Sequence, residues 1–590
     1  MNVLCQLVPC VILAVGSVSA ADPEIESVHW GYDGRAVVPA FNPLTLIVHN
    51  SAGSDLSGIL ELQRLRGGYW TVGLPIRLSV FVSPGQRRPF RFYPYVLGPF
   101  DDWRLTWIDP EGNRRVLKTA ELKPRMGVPT TVLLETPGRL TQSGGRLRTL
   151  DETWFPPVST ATDGLAGVVL DHVPRWDLPR RRSFLQWLGR GGTVHLLETR
   201  SGKAVVFGGD LKVLNGNNAV TRYGTGRIIR QPFGVAEIPA GFSTGVKPDK
   251  RAGTDNLSAS YEFEPFGAID DSALFSALRS MTRPHRNWSL IYVVCLVYVG
   301  LLFPGGFLFG QGDRDYRAVL ALLVGIVVVF SVVFFLVGRR DDISTFVIRT
   351  ATVAHHRLDG DLEYQQWVEA AVNRGGNYRF THHGRGRLYS TAQNLEKVVG
   401  TIEHGATAAL AVQLPPYSSS TFLARGRLPE SSIGMTLVDF QATGDQLQVM
   451  SVSLGDDFPG PIHQASALVG DRFYSLVQRD GLLQLSRQGG GRLVHFGRSG
   501  GGRLSWSFDP DFDQFREVEE VYDSMFDSLA LRSLGLTTRE SAAHFRLPPD
   551  QIRIFVYAPA SDSLLVQTDE SNDQVGFVLH TWDVQTEPIP

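Results

Sequence analysis

Hydrophobic positions follow three different rhythms along this 590-residue chain. Over 21–125, short apolar runs at 44–48, 59–62, 78–82, 90–93 and 103–107 alternate with turn clusters. Among those clusters are Asn50-Ser51-Ala52-Gly53 and Asp109-Pro110-Glu111-Gly112. Strands at that spacing predict a β-sandwich. Over 126–285 the runs become continuous, as in Thr131-Val132-Leu133-Leu134 and Gly167-Val168-Val169-Leu170, which is the pattern of strands covered on both faces. Between them and Thr193-Val194-His195-Leu196-Leu197 lies a helical pattern over 178–188. It carries Phe184, Leu185 and Leu188 on one face, and Gly189-Arg190-Gly191-Gly192 stops it. Strand, helix, glycine stop and strand predict a βαβ unit, hence an α/β domain.

Alternating strand patterns return over 341–508, a predicted β-rich domain, and 509–590 reads as helices followed by terminal strands. Between the α/β and β-rich regions stand two apolar runs, 288–309 and 318–337. At ~1.5 Å per residue each is long enough for a ~30 Å hydrocarbon layer, so the pattern predicts a two-helix transmembrane hairpin. Residues 1–20 read as a signal peptide, with an apolar stretch running into Val18-Ser19-Ala20. Arg314 and Arg317 beside the short turn lean the other way, but an N-terminal signal directs the large regions after it outward. The expectation is a protein of the bacterial inner (cytoplasmic) membrane with its large domains extracytoplasmic. The fold class expected is therefore multidomain α/β plus all-β: an N-terminal β-sandwich, a flavodoxin-like α/β domain, the transmembrane hairpin, and a C-terminal β-rich domain with a helical segment.

Composition narrows the function. Lys+Arg number 57 against Asp+Glu 59, a formal net charge of -2, so no global basic field points to nucleic acid. With 43% hydrophobic and 20% charged residues the chain is neither largely disordered nor a polytopic transporter. The three cysteines, Cys5, Cys10 and Cys295, all lie in apolar stretches. That placement excludes disulfide scaffolds, cysteine-ligated metals and thiol nucleophiles from the other regions.

Several motifs match catalytic or binding patterns only by their letters. Gly241-Phe242-Ser243-Thr244-Gly245 and Gly497-Arg498-Ser499-Gly500-Gly501 resemble a nucleophile elbow, but neither sits between a buried strand and a helix. Asp509, Asp511, Asp513 and Glu520 have calcium-loop spacing, yet Gln514 occupies the position that needs glycine. Asp509 and Pro510 read better as an ordinary helix start. His355-His356 and His382-His383 could offer imidazoles to a metal, but adjacent residues on a strand point to opposite faces, and exposed loop histidines are the expectation. Gly202-Lys203 and Gly224-Thr225-Gly226 are fragments of phosphate-binding patterns. No cofactor and no metal is expected.

The segment from Leu165 to Leu197, with Gly167-Val168-Val169-Leu170-Asp171, the 178–188 helix and Gly191-Gly192-Thr193-Val194, resembles class I glutamine amidotransferase-like domains. That family is flavodoxin-like and occurs in degenerate form in membrane-anchored bacterial envelope proteins. Its activity requires a cysteine nucleophile, and this region contains none, so no catalytic role is carried over. The resemblance implies a cleft at the carboxyl ends of the strands. Asp171, His172 and Glu198 follow two such ends and are the candidate ligand-binding residues. The function expected is a non-enzymatic envelope protein that binds or scaffolds partner proteins, held to the lipid bilayer by its two helices and paired with another envelope protein. Two alternatives stand beside it. One is an envelope hydrolase with Asp171 and Glu198 as acid and base. The other is an accessory subunit of an export complex, packing through Gly300, Gly305 and Gly306.

Overall fold

The computed structural model describes residues 23–98, 101–117, 122–136, 147–199, 201–216, 218–239, 242, 271–282, 288–305, 316–338, 346–391, 398–405, 407–444, 446–486, 490–493, 518–536, 545–570 and 572–586. The signal peptide at 1–20, Ser243, Ser499, and Asp509, Asp511 and Asp513 lie outside them.

Three sheets carry most of the chain. A three-stranded sheet (Glu24–Trp30, Leu44–His49, Arg87–Phe92) packs on an eight-stranded one built around Leu56–Arg66, Trp70–Val82 and Asp101–Ile108. The second sheet does not end with the N-terminal strands. Val399–Glu403 pairs in parallel with Trp70–Val82, Ile402 opposite Ile76, and Ala409–Leu414 and Gly376–Thr381 extend the sheet further. One apolar core accordingly draws Leu44, Leu60 and Trp107 from one part of the chain and Phe346, Phe380 and Leu410 from another. Thr391 fastens the same seam by accepting from the Leu74 N–H at 2.7 Å.

A twelve-stranded sheet has Leu362–Val372, Phe346–His356, Asp573–Gln585 and Gln551–Pro559 as neighbours at its centre. Period-2 alternation sends Trp367, Phe555, Tyr557 and Phe577 to one face. There the helices Asp271–Thr282 and Val518–Ser533 cover them with Leu274, Phe275, Leu278, Met525 and Leu529. Asp271 joins these layers. Its carboxylate accepts from Tyr95 Oη (2.7 Å) and Trp367 Nε1 (2.9 Å), and it pairs with Arg532.

The middle sheet is six-stranded, in the order Arg148–Asp151, Thr130–Glu135, Leu165–Leu170, Thr193–Leu196, Gly226–Arg230, Val220–Tyr223. Its first five strands are parallel and the last is antiparallel. The apolar runs form its interior because both faces are covered. The Leu178–Gly189 helix begins on Asp177, which accepts from the Arg180 N–H, and carries a proline in its first turn, where the missing N–H costs nothing. Glycines let this helix sit tight on the sheet. A Cβ at Gly226 would lie 1.8 Å from the Leu188 carbonyl oxygen, and one at Gly192 2.6 Å from the Trp187 ring. Strand order reverses between Thr130–Glu135 and Leu165–Leu170, the position at which doubly wound sheets commonly carry a site at their carboxyl ends.

The expected transmembrane hairpin is corrected. The fold is 48% strand and 20% helix, and among the described residues no helix is long and apolar enough to cross a membrane. In the first apolar run, the Trp288–Gly300 helix lasts 13 residues, ~20 Å. It then gives way to a π turn over Leu301–Gly305, where Pro304 cannot donate a helical hydrogen bond. It packs beside the Tyr316–Gly338 helix, with the Tyr298 ring 5.1 Å from Phe330. Leu296, Phe303, Val324 and Phe335 of this pair stay exposed. Attachment to a lipid bilayer through two helices is withdrawn on the same finding.

Candidate functional site

At the strand reversal, residues from both sides meet. Asp171 and His172 follow Leu165–Leu170, and Glu152 follows the edge strand Arg148–Asp151 on a short 3-10 turn. His172 Nδ1 lies 2.6 Å from Asp171 Oδ1 and its Nε2 lies 3.0 Å from Glu152 Oε2. Both carboxylates are buried, Glu152 at 2% and Asp171 at 6% exposure. An ionised carboxylate only accepts, so a ring bonded to two such groups donates from both nitrogens, which favours its protonated form. Burial opposes that charge, but the bonds to Asp171 and Glu152 outweigh it and raise the His172 pKa above its ordinary value. Glu152 is fixed in turn: its Oε2 accepts from the Arg175 N–H at 3.3 Å, and its carbonyl accepts from Trp176 Nε1 at 2.7 Å.

Of the three sequence-predicted residues, Asp171 and His172 are therefore brought together, and Glu198 is not joined to them. It follows the neighbouring strand at the same end of the sheet, and its backbone N–H donates to Phe233 O at 3.1 Å. Its main chain also bridges Ala204 across the turn that contains Gly202 and Lys203. The sequence reading missed Glu152. Its one signal was an acidic pair, Asp151-Glu152, closing a strand whose place beside Thr130–Glu135 only the topology reveals.

A second polar constellation lies where the middle sheet docks on the twelve-stranded one. Glu363, 4% exposed at its side chain, collects three guanidinium groups. Arg190 Nη1 and Arg425 Nη2 donate to its Oε1 at 2.7 and 2.8 Å, and Arg357 Nη2 donates to its Oε2 at 3.1 Å. Arg190 also donates to Thr162 Oγ1 at 2.7 Å, and Arg425 pairs with Asp163. Burial works to raise the Glu363 pKa, but the three arginines hold it well below the usual carboxylate range. His355, on the next strand, is kept neutral by burial and by Arg357 and Arg553. These groups line a cavity of about 550 Å³, with Arg532 and Arg553 also on its wall.

The histidine pairs do not converge. His355 contacts Thr581 Oγ1 at 2.6 Å on one face of the sheet, whereas His356 turns to the other. There His356 Nδ1 accepts from the Ile433 N–H at 2.9 Å, so Nε2 carries the proton and meets His580 Nδ1 at 2.9 Å. The Trp582 ring stacks on His356 at 4.2 Å. His382 is held by Gln366 Oε1 (2.6 Å) and Tyr389 Oη (3.1 Å). His355, His356 and His382 are held by these contacts, His383 is exposed against Gln567, and among the described residues no group of His, Cys, Asp and Glu forms a metal cluster. Gly224-Thr225-Gly226 is the tight connection between the last two strands of the middle sheet, packed against Gly189.

No protein-family model matches the chain, and no curated protein matches it. Among solved structures, the Fcho1 Mu homology domain of Danio rerio with bound Eps15 peptide is similar at 6% identity, covering 41% of this chain and 94% of that one, with a TM-score of 0.19. A Paenibacillus sp. cycloisomaltooligosaccharide glucanotransferase aligns at 9% identity over 80% of this chain and 99% of that one, TM-score 0.16. An M1 zinc metallopeptidase of Deinococcus radiodurans aligns at 11% identity over 25% and 39%, TM-score 0.11. Likeness at these scores carries no argument about fold or function.

Proposed function

We propose that the chain is a non-enzymatic recognition protein, a β scaffold that holds a doubly wound sheet in place to bind a ligand or partner. The observation that carries this reading is the state of His172. With both ring nitrogens already engaged by buried carboxylates, the imidazole has no nitrogen left to accept a substrate proton. Glu198, the other candidate for acid–base work, is bonded to neither partner of that clamp. Strands shared between distant parts of the chain support a rigid presenting surface.

Turnover assays with ester, phosphoester, glycoside and peptide substrates, run in parallel on Glu152→Gln and Asp171→Asn, test the reading. No activity that depends on either carboxylate is expected. Hydrolysis lost in those variants, with the fold retained, would overturn it. Native mass spectrometry of the protein isolated from its own host is expected to retain a stoichiometric ligand or partner.

A further inference from the structure

Beside the Glu363 cavity, and sharing Arg190, Gly191 and Arg553 with it, a second cavity of about 530 Å³ opens between the middle sheet and the strand that begins at Gln551. Its electrostatics differ from those of its neighbour. Arg190, Arg227 and Arg553 all line it, and among the described residues no aspartate or glutamate does. Arg190 and Arg553 are held in place from behind. Arg190 is fixed by Glu363, Asp163 and Thr162, and Arg553 by the Ser533 carbonyl, which takes its Nη1 at 3.0 Å, and by Asp583, which takes its Nε and Nη2 at 2.6 and 2.9 Å, so both are already ion-paired. Arg227 is exposed and enters no ion pair among the described residues. Parallel register sets it opposite Thr193 on the adjacent strand, so its guanidinium rises from the same end of the sheet as Gly191 and Arg190.

His195 supplies an independent pointer. It is 4% exposed and lines the same cavity. Its Nδ1 lies 3.3 Å from Gln231 Nε2, whose amide donates to it, so the proton of the neutral ring sits on Nε2. That buried Nε2 has no hydrogen-bond partner among the described residues. A buried donor without an acceptor costs about 1–3 kcal/mol, and an acceptor carried in by a ligand would remove that cost. Thr193, Thr225 and Gln551 add uncharged polar groups, and Ile229, Leu547 and Pro548 an apolar wall.

We propose that this cavity binds an organic oxyanion, a small molecule whose phosphate or carboxylate group meets Arg227, Arg190 and Arg553 while its body rests on Ile229, Leu547 and Pro548. Guanidinium forks match the paired oxygens of both groups, and a cavity of this volume suits a ligand larger than a bare ion. The inference deepens the recognition reading by giving its ligand class. Binding is measured without reference to turnover, so either can fail alone.

Isothermal titration calorimetry of the full chain at fixed ionic strength tests it, with pyrophosphate and citrate as probes and chloride as the reference. Arg227→Gln is the test variant, since the residue is exposed and its loss leaves the fold intact, and Arg88→Gln, exposed on the three-stranded sheet, is the control. Saturable binding of either probe, weakened about tenfold or more by Arg227→Gln and unchanged by Arg88→Gln, is expected from the loss of one charge-assisted contact. Preference for pyrophosphate assigns a phosphate ligand, and preference for citrate a carboxylate. Absence of binding by both probes, or equal affinity in wild type and Arg227→Gln, would overturn the proposal.

Discussion

Replacing Glu363 by glutamine removes one negative charge and leaves three buried guanidinium groups around an amide. Arg190 and Arg425 then keep Asp163 as a carboxylate partner, and Arg357 loses its one ion pair among the described residues. Stripping a buried ion pair of one partner costs about 3–5 kcal/mol, because the charge left behind stays desolvated. Glutamine keeps one oxygen that can accept, so the low end, about 3 kcal/mol, is the figure to test. With a urea slope of about 3 kcal/mol/M for a large chain, the midpoint of the transition that includes this seam should fall by about 1 M. Tryptophan fluorescence reads it, since Trp187 lies on the helix that carries Arg190 and Trp367 on the strand that carries Glu363. The depressed folded pKa sets the sign with pH. The carboxylate's contribution is complete above its ordinary value near 4.5 and is lost as pH falls through the lower folded value. The gap between variant and wild type should thus persist at pH 7 and 5 and close only in stronger acid. A Glu363→Gln midpoint equal to wild type at pH 7 would refute the reasoning.

Three further expectations concern the scaffold. Asp271→Ala should cost about 3 kcal/mol by removing the buried carboxylate that Arg532, Tyr95 and Trp367 share, and hydrogen exchange should show lost protection in the Asp271–Thr282 helix; unchanged protection there would count against it. Burial depresses four histidines, His356 to about 2, His382 and His580 to about 3 and His404 to about 4. Unfolding below pH 6.5 must therefore take up protons, and the urea midpoint should drop steadily from pH 7 to pH 5; a flat profile would contradict their burial as neutral rings. Gly226→Ala drives a Cβ against the Leu188 carbonyl and should destabilise the middle sheet by about 1–3 kcal/mol, read as a lower thermal midpoint, whereas a neutral outcome would mean the helix can shift at no cost.

Local physics made much of the middle sheet readable in the sequence. Continuous apolar runs announced the strands around Val132, Val168 and Val194, and a glycine stop after the 178–188 pattern marked the return to the sheet. His356 and His382, expected as exposed loop histidines, are instead buried, because only the assembled layers cover them. Pairing between distant segments left no local trace either. Nothing near Ile402 specifies Ile76 as its neighbour, because register across hundreds of residues is set by the assembled core and not by local pattern. One of the three residues of the candidate site was hidden for the same reason: Asp171 and His172 adjoin a visible strand end, whereas Glu152 reaches them only through the order of strands. The apolar 288–309 run misled because a composition window cannot register where a helix stops, here at Gly300 before the Pro304 turn.

The protonation state of His172 bears most directly on recognition as against turnover. Imidazole nitrogen NMR on the full chain, assigned with His172→Gln, reads it through the pH range. Both nitrogens should remain protonated through pH 6.5, with a midpoint above that value and a downward shift in Glu152→Gln. A midpoint at or below 6.5, with one nitrogen free at neutral pH, would return His172 to service as a base and contradict the proposed function.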